Sequence, residues 1–181
     1  MQSLLRLCST LDRVIQAIGK AASLLFLALM AVIVFDVASR GTAWTNSTRL
    51  QELEWHIHAA ICFLTFAYTM TLDRHVRVEV FRDHWSAKRK AAVDLLGLLF
   101  LFMPMVLVAL YYSVLFANNS FMSAESSPSA TGLSYRWIIK SFQPAGFTLL
   151  LLAGLTRCVR QTAILTGHIS PTKPATQALI P

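Results

Sequence analysis

Four stretches of this chain are apolar enough to leave water and long enough to cross a bilayer. They run from about Val14 to Ala38, Leu50 to Leu72, Ala91 to Ala117 and Ser141 to Thr156, the last continuing as helix to Arg160. A spanning helix needs roughly 20 largely apolar residues, and only a helix or closed barrel pairs every backbone group in hydrocarbon. Composition agrees, with 55% hydrophobic residues, 14% charged and a mean hydropathy of +0.55. A soluble domain carries about 25% charged residues. The spans leave only short loops and a tail. The sequence therefore predicts one all-α polytopic membrane domain over residues 1–165 with four transmembrane helices, then a disordered cytoplasmic tail over 166–181.

The net charge of +7 is a statement about topology. Of the 16 Lys and Arg residues, twelve fall before the first span or in its opening turns (Lys20), between the second and third, or after the apolar run of the fourth. Four remain for the other side: Arg40, Arg49, Arg136 and Lys140. The positive-inside bias puts both termini in the cytoplasm. Nucleic acid is accordingly not an expected partner; the lipid bilayer is. Cys8, Cys62 and Cys158 are scattered, odd in number and without metal-ligand spacing, so they read as packing residues. The first apolar run follows some twenty residues and lacks a small-x-small cleavage site, and it reads as a retained helix. Ahead of it Leu4, Leu7, Leu11, Val14, Ile15 and Ile18 fall at helical spacing, with Arg6, Asp12, Arg13 and Gln16 on other faces. That pattern predicts an amphipathic lead-in, lying on the cytoplasmic surface or continuing into the span.

The stretch from Gln51 to His84 is the most informative. Its apolar part, Ala59 to Leu72, is too short to span unless Glu52, Glu54, His56 and His58 belong to the same helix. At a rise of about 1.5 Å per residue, His58 then lies roughly 20 Å from Leu72, near one headgroup layer. Glu52 with His56, and Glu54 with His58, are four apart, so the helix presents polar groups on two faces. Asp36 and Arg40 are also four apart, where an ion pair is the expected role and a proton relay the alternative. In the following loop Val76, Val78 and Val80 alternate with Arg77 and Glu79, an extended amphipathic pattern. Ser86 is placed to cap the third helix, and Pro104 should kink it near its middle. Tyr135, Trp137 and Lys140 form an interfacial collar before the fourth span, where Pro144 either kinks the helix or begins its straight part.

The chain shows no glycine-rich phosphate loop, nucleophile elbow or zinc-spaced cluster. A bis-histidine haem would need partners on other spans, and those spans contain no histidine. No cofactor, no metal and no enzymatic activity are expected. Asp36, Glu52, Glu54 and Asp94 all lie toward helix ends, whereas a self-contained ion-coupled carrier wants an ionisable group near mid-membrane.

The run QELEWHIHAAICFLTFAYTMTLDRHVRVEVF, with its block His75, Val76, Arg77, Val78 and Glu79, resembles the small integral-membrane subunit of tripartite ATP-independent periplasmic (TRAP) transporters. The second half carries the resemblance on: Glu125, Ser127-Pro128, Gly132-Leu133, Tyr135-Arg136-Trp137, Lys140, Phe142, Pro144 and Gly146-Phe147. The pattern is similar to the mannitol/chloroaromatic-type branch and covers roughly Val14 to Arg160. Asp73-Arg74 departs from it, since a glycine often precedes the histidine. The resemblance implies a location in the bacterial inner membrane and two protein partners: a large multi-span transporter subunit and a periplasmic substrate-binding protein. It implies ion-gradient-driven uptake of an organic acid, with the small subunit bracing the large one. Candidate interface residues are Glu52, Glu54, Trp55, His58, His75, Arg77, Glu79, Tyr135, Arg136 and Lys140. The competing readings are a stand-alone homodimeric ion-coupled carrier and a membrane-anchored redox subunit.

Overall fold

The computed structural model describes residues 1–39, 48–72 and 85–168, and all the regular structure among them is helical. Helix α1 spans Gln2–Ser39, α2 Thr48–Thr71, α3 Ala87–Gly97, α4 Met103–Met122 and α5 Trp137–Leu165. A π-helical turn at Leu98–Phe102 joins α3 to α4, so the two form one rod of 36 residues. Three helices are long and apolar enough to cross a membrane: α1, the α3–α4 rod and α5. Helix α2 has 24 residues, about 36 Å at 1.5 Å each, but its outer end is polar. The molecule is a polytopic all-α membrane protein.

The lead-in does not lie flat on the membrane; it continues into the first span as one helix of 38 residues. Its buried residues Cys8, Ile15, Ala22, Leu29 and Asp36 are each seven apart. A strict seven-residue repeat keeps one face toward its neighbours only if the helices wind left-handedly, as in coiled coils. This corrects the expected apolar face. Leu4, Leu7 and Val14 point outward, while Asp12, expected on a polar face, is buried. The reason is chemical. Asp12 accepts hydrogen bonds from the Thr156 hydroxyl (2.9 Å) and from Arg160, both on α5. These partners sit near one end of the molecule, so the start of α1 and the end of α5 share a face. That end also carries Arg6, Arg13, Lys88, Arg89 and Lys90, which makes it the cytoplasmic end.

Helix α5 touches α1, α2, α3 and α4, whereas the α3–α4 rod touches neither α1 nor α2 among the described residues. The α1–α2 pair and the rod are thus held together by α5 between them. Glycines set how closely these helices approach. A Cβ on Gly146 would lie 2.5 Å from the Phe63 carbonyl oxygen of α2, and one on Gly154 2.5 Å from the Phe102 ring. One on Gly19 would strike Tyr68 of α2 at 2.4 Å. Without a lipid-excluding hydrophobic effect between helices, such close backbone approach is a main source of association in membranes. Ile15, Ala67, Met70 and Ala153 form the buried apolar centre, flanked by Leu98, Phe102, Leu149, Leu150 and Leu152.

Both prolines are accommodated inside helical rods. Pro104 has no N–H to give to the carbonyl four residues back, and its ring crowds that carbonyl. The turn just before it is π, with the Met103 N–H bonding the Leu98 carbonyl. Pro144 lies within α5, so the helix begins at Trp137 and takes in the collar residues Trp137 and Lys140. Ser86 caps α3 as expected, accepting from the Arg89 N–H at 3.4 Å. At the other end Gly167, at φ +75°, ends α5: the His168 N–H bonds the Ala163 carbonyl (2.9 Å) and the Gly167 N–H that of Ile164 (3.2 Å). This six-to-one closure needs a left-handed residue, which glycine adopts without penalty.

Candidate functional site: a polar cap at the outer end

The outer end of the bundle is closed by the segment between Met122 and Trp137, which folds down on the start of α2. Glu52 organises it. This carboxylate is 8% exposed and accepts from the Ser127 hydroxyl and, at 2.7 Å, from the Leu133 N–H. Gly132 is required beside it, because a Cβ there would lie 2.2 Å from Ser127 Oγ and 2.9 Å from Glu52 Oε1. The loop is closed further by Ser127 N–H to the Leu133 carbonyl (3.1 Å) and Gly132 N–H to the Ser129 carbonyl (3.0 Å). Arg49 donates through Nε to the Thr131 carbonyl at 3.0 Å, and the Thr131 hydroxyl donates to that of Thr48 at 3.2 Å.

A second centre, around Glu125, ties the loop to α5. Lys140 donates to its carboxylate while lying 4.0 Å from the centre of the Phe116 ring, and Arg136 Nε is 3.9 Å from it. The Arg136 N–H bonds the Glu125 carbonyl at 3.1 Å, and Phe121 meets Trp137 edge-to-face at 5.3 Å. The hydrogen bond from Lys140, with the positive charges of Lys140 and Arg136, holds the Glu125 carboxyl below its ordinary range.

The candidate interface residues therefore divide. Glu52 and Lys140 are engaged inside the cap. Arg136 is half-buried against Glu125, yet its Nε has no hydrogen-bond partner among the described residues. Trp55 (70% exposed), His58 and Tyr135 (68% exposed) face outward, Tyr135 from a backbone at φ +62°. Glu54 is half-buried, with Oε1 shielded from solvent and without a hydrogen-bond partner among the described residues. His75, Arg77 and Glu79 lie outside the described residues, as do Arg40 and the expected alternating segment.

The two expected Glu–His pairs take other partners. His56 turns its ring Nδ1 to the Glu52 backbone carbonyl, leaving the carboxylate for the loop, and His58 Nε2 lies 3.6 Å from Cys62 Sγ. Sequence reading missed Ser127 as a ligand of Glu52 and missed the inner cluster of Asp12, Thr156 and Arg160. Its neighbour Arg157 donates to the Met70 carbonyl at 3.1 Å. The signal for that cluster was one heptad position: Asp12 lies four residues beyond buried Cys8 and three before buried Ile15.

The cap joins residues some eighty positions apart, and they are the two blocks on which the family resemblance rested: Glu52 from one, and Glu125, Ser127, Gly132, Leu133, Arg136 and Lys140 from the other. No curated protein matches this chain. The family model for the DctQ component of tripartite ATP-independent periplasmic transporters matches residues 29–163, which takes in the outer cap, α2 to α4 and nearly all of α5, but only the last part of α1, from Leu29 to Ser39. The chain belongs to that family of transporter components.

Proposed function

We propose that this chain is the small permease subunit of a secondary active, ion-gradient-driven uptake system for small organic acids. In this reading it braces a large transport subunit, and a periplasmic binding protein delivers the solute. The observation that carries the reading is the use the bundle makes of its own centre. Helix α5 fills the space between the α1–α2 pair and the α3–α4 rod at glycine-spaced contact. The polar side chains described above are engaged at the two ends: Glu52 and Glu125 in the outer cap, Asp12 and Arg160 at the inner end. A chain arranged this way is suited to rigidity. Its outward residues Trp55, His58 and Tyr135 are suited to contact with another protein. His75, Arg77 and Glu79 are assigned to the cytoplasmic side of the same contact.

The test is reconstitution in liposomes under an ion gradient. Uptake is expected only when this chain, the large subunit and the binding protein are all present. Uptake catalysed by this chain alone would overturn the reading in favour of a self-sufficient carrier.

A further inference from the structure

Serines inside the helices of this chain share one habit. The hydroxyls of Ser9, Ser23, Ser39 and Ser113 each donate to the carbonyl three residues back, and that of Ser141 to the carbonyl four back. A helical serine out of reach of water can satisfy itself in this way on its own backbone. Ser120 does not. It stands seven residues beyond Ser113 on the inward face of α4 and is 2% exposed. Its Oγ is shielded from solvent and has no hydrogen-bond partner among the described residues. A buried hydroxyl left unpaired is costly, so one that turns away from its own helix calls for a partner elsewhere.

Two further groups converge on the same point. Arg136 Nε, just ahead of α5, is likewise shielded and without a hydrogen-bond partner among the described residues. It stands 3.9 Å from Glu125 Oε1, too far for a direct bond, while Lys140 donates to the other carboxylate oxygen, Oε2. Glu125 is also the neighbour of Ser120. After the hydrogen bond from Lys140, the Ser120 hydroxyl is the next influence that holds this carboxyl below its ordinary range. The hydroxyl and the carboxylate nevertheless do not meet in hydrogen-bond geometry. Two bonds of about 2.8 Å that meet near a right angle at one oxygen join groups about 4 Å apart, close to the separation of Arg136 Nε and Glu125 Oε1.

We propose that the outer cap binds one ordered water at this point, accepting from the Arg136 Nε–H and the Ser120 hydroxyl and donating to Glu125 Oε1. The three groups select the ligand by their chemistry. An anion would meet the Glu125 carboxylate, and a cation would meet Arg136, with Lys140 already on the same carboxylate. A small neutral molecule that both donates and accepts suits a guanidinium, a hydroxyl and a carboxylate together. Three hydrogen bonds are also the usual complement of a buried water. The site ties the end of α4, the loop after it and the start of α5 to one another. It adds a side-chain bridge where the loop is otherwise held by Lys140 and by the bond from the Arg136 N–H to the Glu125 carbonyl. It lies wholly within this chain, so it stands independently of the functional reading above.

The test has two parts, both on the full chain. A density map fine enough to show ordered waters is expected to hold a peak about 2.7–3.2 Å from each of Arg136 Nε, Ser120 Oγ and Glu125 Oε1. Proton exchange at the Arg136 Nε–H, followed by nuclear magnetic resonance, reads how firmly the water is kept. Ser120→Ala removes one of its three partners and should quicken that exchange about ten-fold, the worth of one hydrogen bond. Ser123→Ala is the control, because the Ser123 hydroxyl bonds the Asn119 carbonyl of its own helix at 2.8 Å, and it should leave the exchange unchanged. A map without the peak, a Ser120 hydroxyl bonded directly to Glu125 or to the Phe116 carbonyl, or unchanged Arg136 exchange in Ser120→Ala would each overturn the inference. The map of the unaltered chain decides the matter even where the variant does not fold.

Discussion

Replacing Glu52 by alanine tests the outer cap most directly. The carboxylate accepts from the Leu133 N–H at 2.7 Å and from the Ser127 hydroxyl, and it is 8% exposed. Hydrogen bonds to a charged group contribute about 1.5–3 kcal/mol each, and a buried donor left unpaired costs about 1–3 kcal/mol. The loop can relax and take up water at its outer surface, so the two losses will not sum fully. A reduction of about 2–3 kcal/mol in the free energy of opening the loop is the expected outcome. At about 1.4 kcal/mol per factor of ten, amide exchange at Leu133 should quicken by one to two orders of magnitude. Ser127→Ala removes one bond and leaves the other, so its effect should be about half as large. The double variant should fall short of the sum, because both act on one network. Exchange read residue by residue separates this from global unfolding, since amides in the middle of α5 should keep their protection. Unchanged Leu133 exchange in Glu52→Ala would refute the assignment of Glu52 as the organising acceptor. So would an effect no larger than that of Glu54→Ala, whose Oε1 has no hydrogen-bond partner among the described residues.

Three further outcomes are expected. Gly146→Ala puts a methyl group against the Phe63 carbonyl and should destabilise the bundle by about 1–3 kcal/mol; Gly97→Ala meets nothing within 4 Å and should stabilise its helix by about 0.5–1 kcal/mol, so opposite shifts in melting temperature check the pair. Arg160→Ala should cost more than Asp12→Ala, about 2 kcal/mol against about 1 or less, because it leaves the buried Asp12 carboxylate without its counter-charge, whereas Asp12→Ala leaves an Arg160 side chain that is 47% exposed and can be hydrated; equal losses on thermal melting would contradict this. The Glu125 carboxyl is held below its ordinary range, so its contribution is present above that range and disappears as the pH falls through the depressed value; Trp137 fluorescence should report loosening of the cap on acidification, and Glu125→Gln should abolish that transition.

Much of the architecture was legible because hydrocarbon imposes strong rules. Apolar length, basic asymmetry and the Ser86 cap follow from solvent physics alone, and each is present in the folded chain. Side-chain partners were not legible, and the reason is specific. Glu52 and Glu54 look alike in sequence, each with a histidine four residues on. Only the path of a loop eighty positions away decides that one carboxylate is consumed by Ser127 and Leu133 while the other has an oxygen without a hydrogen-bond partner among the described residues. Asp12 was placed on a polar face, away from the leucine-rich row that marked the apolar side of the lead-in. In a membrane protein the most apolar face is often the outward one, and the buried face of α1 is marked by Cys8, Gly19 and Ala22 instead. Pro104 was expected to disturb its helix, and the disturbance takes the form of a widened turn at Leu98–Phe102 just before it, past which the helix continues.

The central position of α5 has a consequence for how the chain is made. Synthesis proceeds from the N-terminus, so the hairpin of α1 and α2 and the rod of α3 and α4 emerge first. Among the described residues the helices of the two pieces make no close approach to one another; only the Ser127–Leu133 loop reaches from the rod's side to the start of α2. The helix made after both is thus the keystone, and a fragment that ends before Trp137 holds its two parts together by the outer cap alone.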